Sequence, residues 1–150
     1  MLVNEEKWHI RFLRVAKEVA SWSHDPSTKV GCVLVRDRRI ISTGYNGFSR
    51  GIEDKLERLN DREFKYAAII HAEKNALLSA ALHGVTTQNS DCYVTLYPCS
   101  QCAASLINAG IKNVYVPGDV EIPDRWLENF TLALGLFREA GVNFLTIDIS

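Results

Sequence analysis

The chain has 150 residues, 47% apolar and 23% charged, with a formal net charge of −1. That balance suits one globular domain and excludes the strong basic surplus of a dedicated nucleic-acid binder. No apolar run approaches the ~20 residues that cross a bilayer, and the start lacks the basic and apolar regions of a secretory leader, so a cytoplasmic protein without membrane or nucleic-acid partners is expected.

Asn4 is placed to cap a first helix, with Glu5 and Glu6 in its first turn. Trp8, Phe12, Val15, Val19 and Trp22 follow at steps of three or four, an apolar stripe that predicts helix to about residue 22. His24-Asp25-Pro26-Ser27 breaks it. Val30 to Val35 reads as a buried strand, and Arg36-Asp37-Arg38-Arg39 turns the chain into a second strand from Ile40 to about Thr43. Gly44-Tyr45-Asn46-Gly47 comes next, then a charged insertion at about 50–65, read as a solvated helix or a mobile, solvent-facing lid. A helix is predicted from His71 to about His83, ending at Gly84, with Ala76, Leu77, Ala80 and Ala81 inside. Cys92 to Leu96 is a strand, Cys99 to Ala109 a helix opened by Pro98, and Asn113 to Val116 a short strand. Asp124 is placed to cap a last helix that ends before Gly141, and Val142 to Ile147 closes the chain as a strand. A hairpin followed by alternating helices and strands predicts a single α/β domain over 1–150. Its form is a three-layer α/β/α sandwich on a five-stranded mixed sheet, mostly parallel.

Four cysteines divide into two kinds. Cys32 and Cys92 lie inside apolar strand-like runs, where a cysteine acts as a small hydrophobe. Cys99 and Cys102 form a C-x-x-C at a helix start, which means metal or redox chemistry more often than a structural bridge. His71 opens another helix about 25 residues earlier. Three ligands leave a fourth tetrahedral position, the arrangement of a catalytic zinc site. Glu73 stands two residues after His71, so it does not share that ligand's helix face. It is placed to move protons beside the metal. A thioredoxin-like reading fails, since it has no use for His71-Ala72-Glu73.

The combination of H-A-E with P-C-S-Q-C resembles the zinc-dependent cytidine and deoxycytidylate deaminases, for which the general signature of zinc deaminases is already known. The similarity is strongest to the deoxycytidylate deaminase family. It extends over D-P-S-T-K-V-G at Asp25 to Gly31, S-T-G-Y-N-G-F at Ser42 to Phe48, H-A-E-K-N-A at His71 to Ala76 and Y-V-T-L-Y-P-C-S-Q-C at Tyr93 to Cys102. The resemblance implies a cytidine-deaminase-like fold and one catalytic zinc on His71, Cys99 and Cys102, with Glu73 as proton shuttle. The reaction it implies is hydrolysis of dCMP to dUMP and ammonia. It further implies that Asn46 meets the deoxyribose and that the backbone at Ala72 meets the pyrimidine edge. Lys29 is a phosphate candidate on charge alone, and an ordinary exposed lysine is the equal alternative. Members are commonly homo-hexamers activated by dCTP, as its magnesium complex, and inhibited by dTTP. On that pattern Gly44, Tyr45, Gly47, Phe48 and Arg50 form the effector loop. Two departures stand out. The remaining Cys and His residues have no spacing for a second zinc, and Pro117-Gly118-Asp119-Val120-Glu121 replaces the basic and tyrosine residues that many members carry there. The competing readings are a tRNA or base deaminase of similar fold and a catalytically silent zinc module.

Overall fold

Alternation along the strands sorts the interior into two faces. The structure, a computed structural model, describes residues 2–150, with side chains from residue 5 onward. Its elements are α1 (Leu2–Ala20), β1 (Gly31–Arg36), β2 (Arg39–Tyr45), α2 (Leu56–Asn60), α3 (Arg62–Ala68), α4 (Ala72–Leu82), β3 (Asp91–Val94), α5 (Ser100–Asn108), β4 (Asn113–Pro117), α6 (Asp124–Ala140) and β5 (Asn143–Ile147). The strands form one sheet in the order β2-β1-β3-β4-β5. Successive side chains on a strand point to opposite faces. Cys32, Leu34, Cys92, Val94, Val114 and Val116 therefore meet α4, α5 and α6, while Val33, Val35, Tyr93 and Tyr115 meet α1. The predicted three-layer α/β/α sandwich on a five-stranded mixed sheet is the fold observed.

The sheet is less parallel than the alternation of elements suggested. β1 pairs antiparallel with both β2 and β3, and only β3–β4 and β4–β5 are parallel. The hairpin between β1 and β2 turns through Asp37 and Arg38, both with positive φ, as a two-residue turn matched to strand twist requires.

Two expected caps are corrected. α1 begins at Leu2, so Asn4 lies inside its first turn, and the Asn4 side chain falls outside the described residues. Asp124 is the first residue of α6, whose cap position is Pro123 with no side-chain cap bond. The charged insertion also differs from a solvated lid. It folds into α2 and α3, with Asp61 capping α3 through the Phe64 N–H. Leu59 is buried, and Lys65 reaches back to the buried Asp25 at 2.8 Å. The insertion is thus the solvated-helix form of the expectation, mostly exposed and anchored at Leu59 and Lys65.

Candidate active site

Two helix starts bring the expected ligands together. His71 is the residue that caps α4 and Cys99 the one that caps α5. The Cys99 thiol sulfur accepts from the Cys102 N–H at 3.5 Å, so the C-x-x-C spacing itself turns both sulfurs to one side. His71 Nδ1 stands 3.3 Å from Cys102 Sγ and 3.6 Å from Cys99 Sγ. The three ligand atoms lie within 4.8 Å of one another. Ordinary Zn–N and Zn–S bonds at a tetrahedral angle would put nitrogen and sulfur about 3.6 Å apart, so the donor set fits zinc in both chemistry and spacing.

The electrostatics of the three groups are mutual. Cys99 is pulled down to about 4, chiefly by its hydrogen bond with Cys102 and further by His71. The Cys102 thiol is pushed up by the same bond and by burial. His71 is raised, first by its hydrogen bond to Cys99. A thiolate is thus available without metal, which is the form a zinc ligand needs.

Glu73 sits in the first turn of α4, only 4% exposed. Burial pushes its carboxyl up to about 7. A carboxyl poised there both accepts and donates a proton near neutral pH, as a general acid/base must. These residues open on a cavity of about 580 Å³, of the size that holds a nucleotide-sized ligand.

The other expected site residues divide. Ala72 is fully buried and lines the cavity. Asn46 lines it too, but its amide is largely committed to the protein. Nδ2 donates to the Thr28 carbonyl at 2.8 Å and to Asp25 at 3.2 Å, while Oδ1 accepts from the Val30 N–H at 2.8 Å. One lone pair on Oδ1 remains for a sugar hydroxyl. Lys29 is exposed and does not line the cavity. Gly44 is packed against α4, where a Cβ would collide with the Ala72 carbonyl oxygen and the Ala76 nitrogen. At Gly47, by contrast, a Cβ would meet only the Tyr45 ring, at an ordinary 3.9 Å, and its backbone pairs with Ile70 just before His71. Phe48 packs edge-on against Phe64 of α3 at 5.5 Å. Tyr45 is 40% exposed against Trp22, and Arg50 is exposed.

Several cavity residues escaped the sequence reading. Asp25, 3% exposed, gathers the N–H groups of Ser27 and Thr28, the Asn46 amide and the Lys65 ammonium. Asn129 of α6 bonds the Ser100 N–H and hydroxyl, fixing the residue after Cys99. The D-P-S-T run had marked Asp25 as part of a motif, but nothing in the sequence joins Lys65 or Asn129 to it.

Comparison with known proteins agrees with this geometry. Residues 6–117 match the family model described as the cytidine and deoxycytidylate deaminase zinc-binding region. An Aliivibrio fischeri protein described as an uncharacterized deaminase in the luxG 3′ region is 41% identical over 95% of this chain and 97% of its own length. Mouse deoxycytidylate deaminase is 36% identical, over 92% of this chain and 78% of its own. The dCMP deaminase of cyanophage S-TIM5, solved in complex with dCMP and dUMP, superposes with a TM-score of 0.73 at 25% identity. That match covers 91% of this chain and 94% of the phage protein.

Proposed function

Because this chain belongs to the cytidine and deoxycytidylate deaminase family, we propose that it is a zinc hydrolase converting dCMP and water to dUMP and ammonia. The observation that carries this reading is the convergence of His71, Cys99 and Cys102 beside the buried Glu73, in a cavity roomy enough for a nucleotide. Its substrate follows the names of the relatives, and the modest net charge fits a small nucleotide better than a polynucleotide track.

Zinc, when held by these three residues, supplies Lewis acidity that brings the pKa of water toward about 7. The chain's own residues do the rest. Glu73 removes a proton from the attacking water and delivers one to N3 of the cytosine, which makes C4 electrophilic. Water oxygen bonds to C4. Glu73 then takes the remaining proton from the oxygen added at C4 and passes it to the exocyclic amine; the C4–N bond breaks, its electron pair leaves with ammonia, and the C4 carbonyl of the product forms. Burial raises the Glu73 carboxyl above its ordinary range in the metal-free chain, which favours its taking up as well as releasing a proton. Ala72, with its small side chain, lets the base edge approach the backbone, and the spare lone pair of Asn46 faces the sugar.

The reading extends to control. A triphosphate seated on Gly47, Phe48 and Arg50 would act on the site through two links: the Gly47–Ile70 backbone pair that leads into His71, and the Phe48–Phe64 contact to α3. On this reading dCTP with magnesium activates, dTTP inhibits, and the enzyme works as a homo-hexamer in the cytoplasm. Exposed Leu78 and Leu82 on α4 supply apolar surface for such an assembly. No helix of the described residues is long and apolar enough to cross a membrane.

Steady-state assays on dCMP, deoxycytidine, dCTP and single-stranded DNA test the reading, with metal content measured on the same protein. Turnover of dCMP above the others, with about one zinc per chain, is the expected result. A preference for DNA or an absence of turnover on all four would overturn it.

A further inference from the structure

The rim of the cavity holds a pair of cations that the reaction at the metal does not use. α3 lines the cavity along one stripe, through Arg62, Lys65, Tyr66 and Ile69, at the spacing of a single helix face. Lys65 is committed to Asp25 at 2.8 Å. Arg62 lies one turn earlier and is exposed, with no carboxylate partner among the described residues. Arg125, on the second residue of α6, lines the same cavity and is equally unpartnered. The remaining acid on that rim is Glu121, so two free guanidiniums face one free carboxylate. α3 runs from Arg62 toward His71, and its seven residues advance about 10 Å. Arg62 therefore stands at the end of the cavity away from the metal-ligand candidates, while Arg125 lies on the α6 wall, one turn before the Asn129 that bonds Ser100. A nucleotide is elongated in the same sense, with the reacting base at one end and the phosphate at the other.

We propose that Arg62 and Arg125 together form the subsite for the substrate's 5′-phosphate, one guanidinium from the inserted α3 and one from the start of α6. This deepens the dCMP reading and rests on it. Planar guanidiniums match phosphate oxygens two at a time, and two of them from separate elements clamp a dianion more selectively than one flexible lysine. The position also explains why the chain manages without basic residues directly after β4. Its cations come instead from the insertion and from eight residues further on. Lys29, exposed and off the cavity, is left outside this subsite.

Binding of dUMP and of deoxyuridine, neither of which turns over, reads the phosphate's share directly by calorimetry. Wild type should bind dUMP more tightly than deoxyuridine. Arg62→Ala and Arg125→Ala should each cut that preference by ~10-fold or more, the scale of a charge-assisted hydrogen bond, and Arg→Lys should restore part of it. Both side chains are exposed and without hydrogen-bond partners, so thermal melts should show both variants folded, and Arg→Gln at each site provides a second neutral probe. An unchanged preference, an equal weakening of nucleotide and nucleoside, or a wild type that does not distinguish them would overturn the subsite. Loss of the dCMP reading shows separately, as failure of wild type to deaminate dCMP.

Discussion

The two faces of the sheet are built from different materials. Against α4, α5 and α6 the interior sets small side chains (Ala72, Ala76, Ala103, Ala133, Cys32 and Cys92) among Leu34, Leu106, Ile111 and Phe137. Against α1 it is aromatic and polar, with Tyr93 stacked on Tyr115 at 4.8 Å and His9 on Tyr115 at 4.1 Å. The small-residue face brings helices close to the strands. Gly44 on β2 touches α4 so closely that any Cβ would strike its backbone. Close approach is what lets the starts of α4 and α5 converge within ligand distance of one another. The aromatic face carries no group of the proposed chemistry, and its one helix also closes on the sheet at a single glycine, since a Cβ at Gly31 of β1 would strike the Ala16 carbonyl oxygen of α1.

The largest expected effect breaks chemistry on the first face alone. Glu73→Gln should lower kcat by at least ~10²–10⁴-fold while zinc content stays at the wild-type level. Near-normal turnover would remove Glu73 from the reaction. The same variant has a stability signature in metal-free protein. Folding raises the Glu73 pKa from 4.5 to about 7, so the folded state binds a proton that the unfolded state releases across that window. The stability this contributes is complete below pH 4.5 and is lost as pH rises through about 7. Melts from pH 4.5 to 8 should therefore fall more steeply for wild type than for Glu73→Gln.

Next in size is the ionic anchor of the insertion. Lys65→Met leaves the Asp25 carboxylate buried with its backbone and Asn46 donors but no counter-charge. We expect a loss of about 2–3 kcal/mol, below the ~3–5 kcal/mol of a pair with no other hydrogen bonds. Urea denaturation measures it, and a loss under 1 kcal/mol would mean that α3 is held by Leu59 and Phe64 instead. Gly44→Ala follows, at ~1–3 kcal/mol, since β2 and α4 must separate to admit a methyl group. Gly47→Ala, where the new methyl group meets only the Tyr45 ring at contact distance, is the internal control, and equal losses at the two glycines would contradict the packing role of Gly44.

Much of the small-residue face was legible because its signals are local. C-x-x-C at a helix start fixes both sulfurs within one turn, and the strand periodicity places Cys32 and Cys92 indoors, where their sulfurs lie 3.5 Å apart as free thiols. What stayed hidden depends on which segments meet in space. Lys65 looks like any lysine in a charged stretch until α3 folds over Asp25, forty residues back. Arg62 and Arg125 become a pair only through the cavity that both line. The resemblance placed Gly44 in an effector loop, and the sequence did not show that its nearest neighbours in space are the backbone atoms of α4. The sheet's mixed character was read too parallel for the same reason: β1 lies next to β3, a neighbour that its own sequence does not announce.

The smallest expected effect sharpens the comparison from the aromatic side. His9 Nδ1 is hydrogen-bonded with the Tyr93 hydroxyl at 2.7 Å, and its ring is stacked on Tyr115. Burial lowers the His9 pKa below its ordinary 6.5, against the opposing pull of Asp91, Glu5 and Glu6. The folded state therefore favours the neutral ring, and the unfolded state takes up more protons as the solution is acidified. His9 contributes stability that is present above pH 6.5 and lost as pH falls through its lowered value. Melting temperature should drop more steeply between pH 6.5 and 5 for wild type than for His9→Gln, whose amide can still bond Tyr93 but does not titrate. The candidate metal ligands and Glu73 lie on the opposite face, so their contributions are common to both proteins and cancel in the difference. Parallel pH profiles would show that His9 keeps its charge when folded, and that the acid groups around it outweigh the aromatic ring beneath.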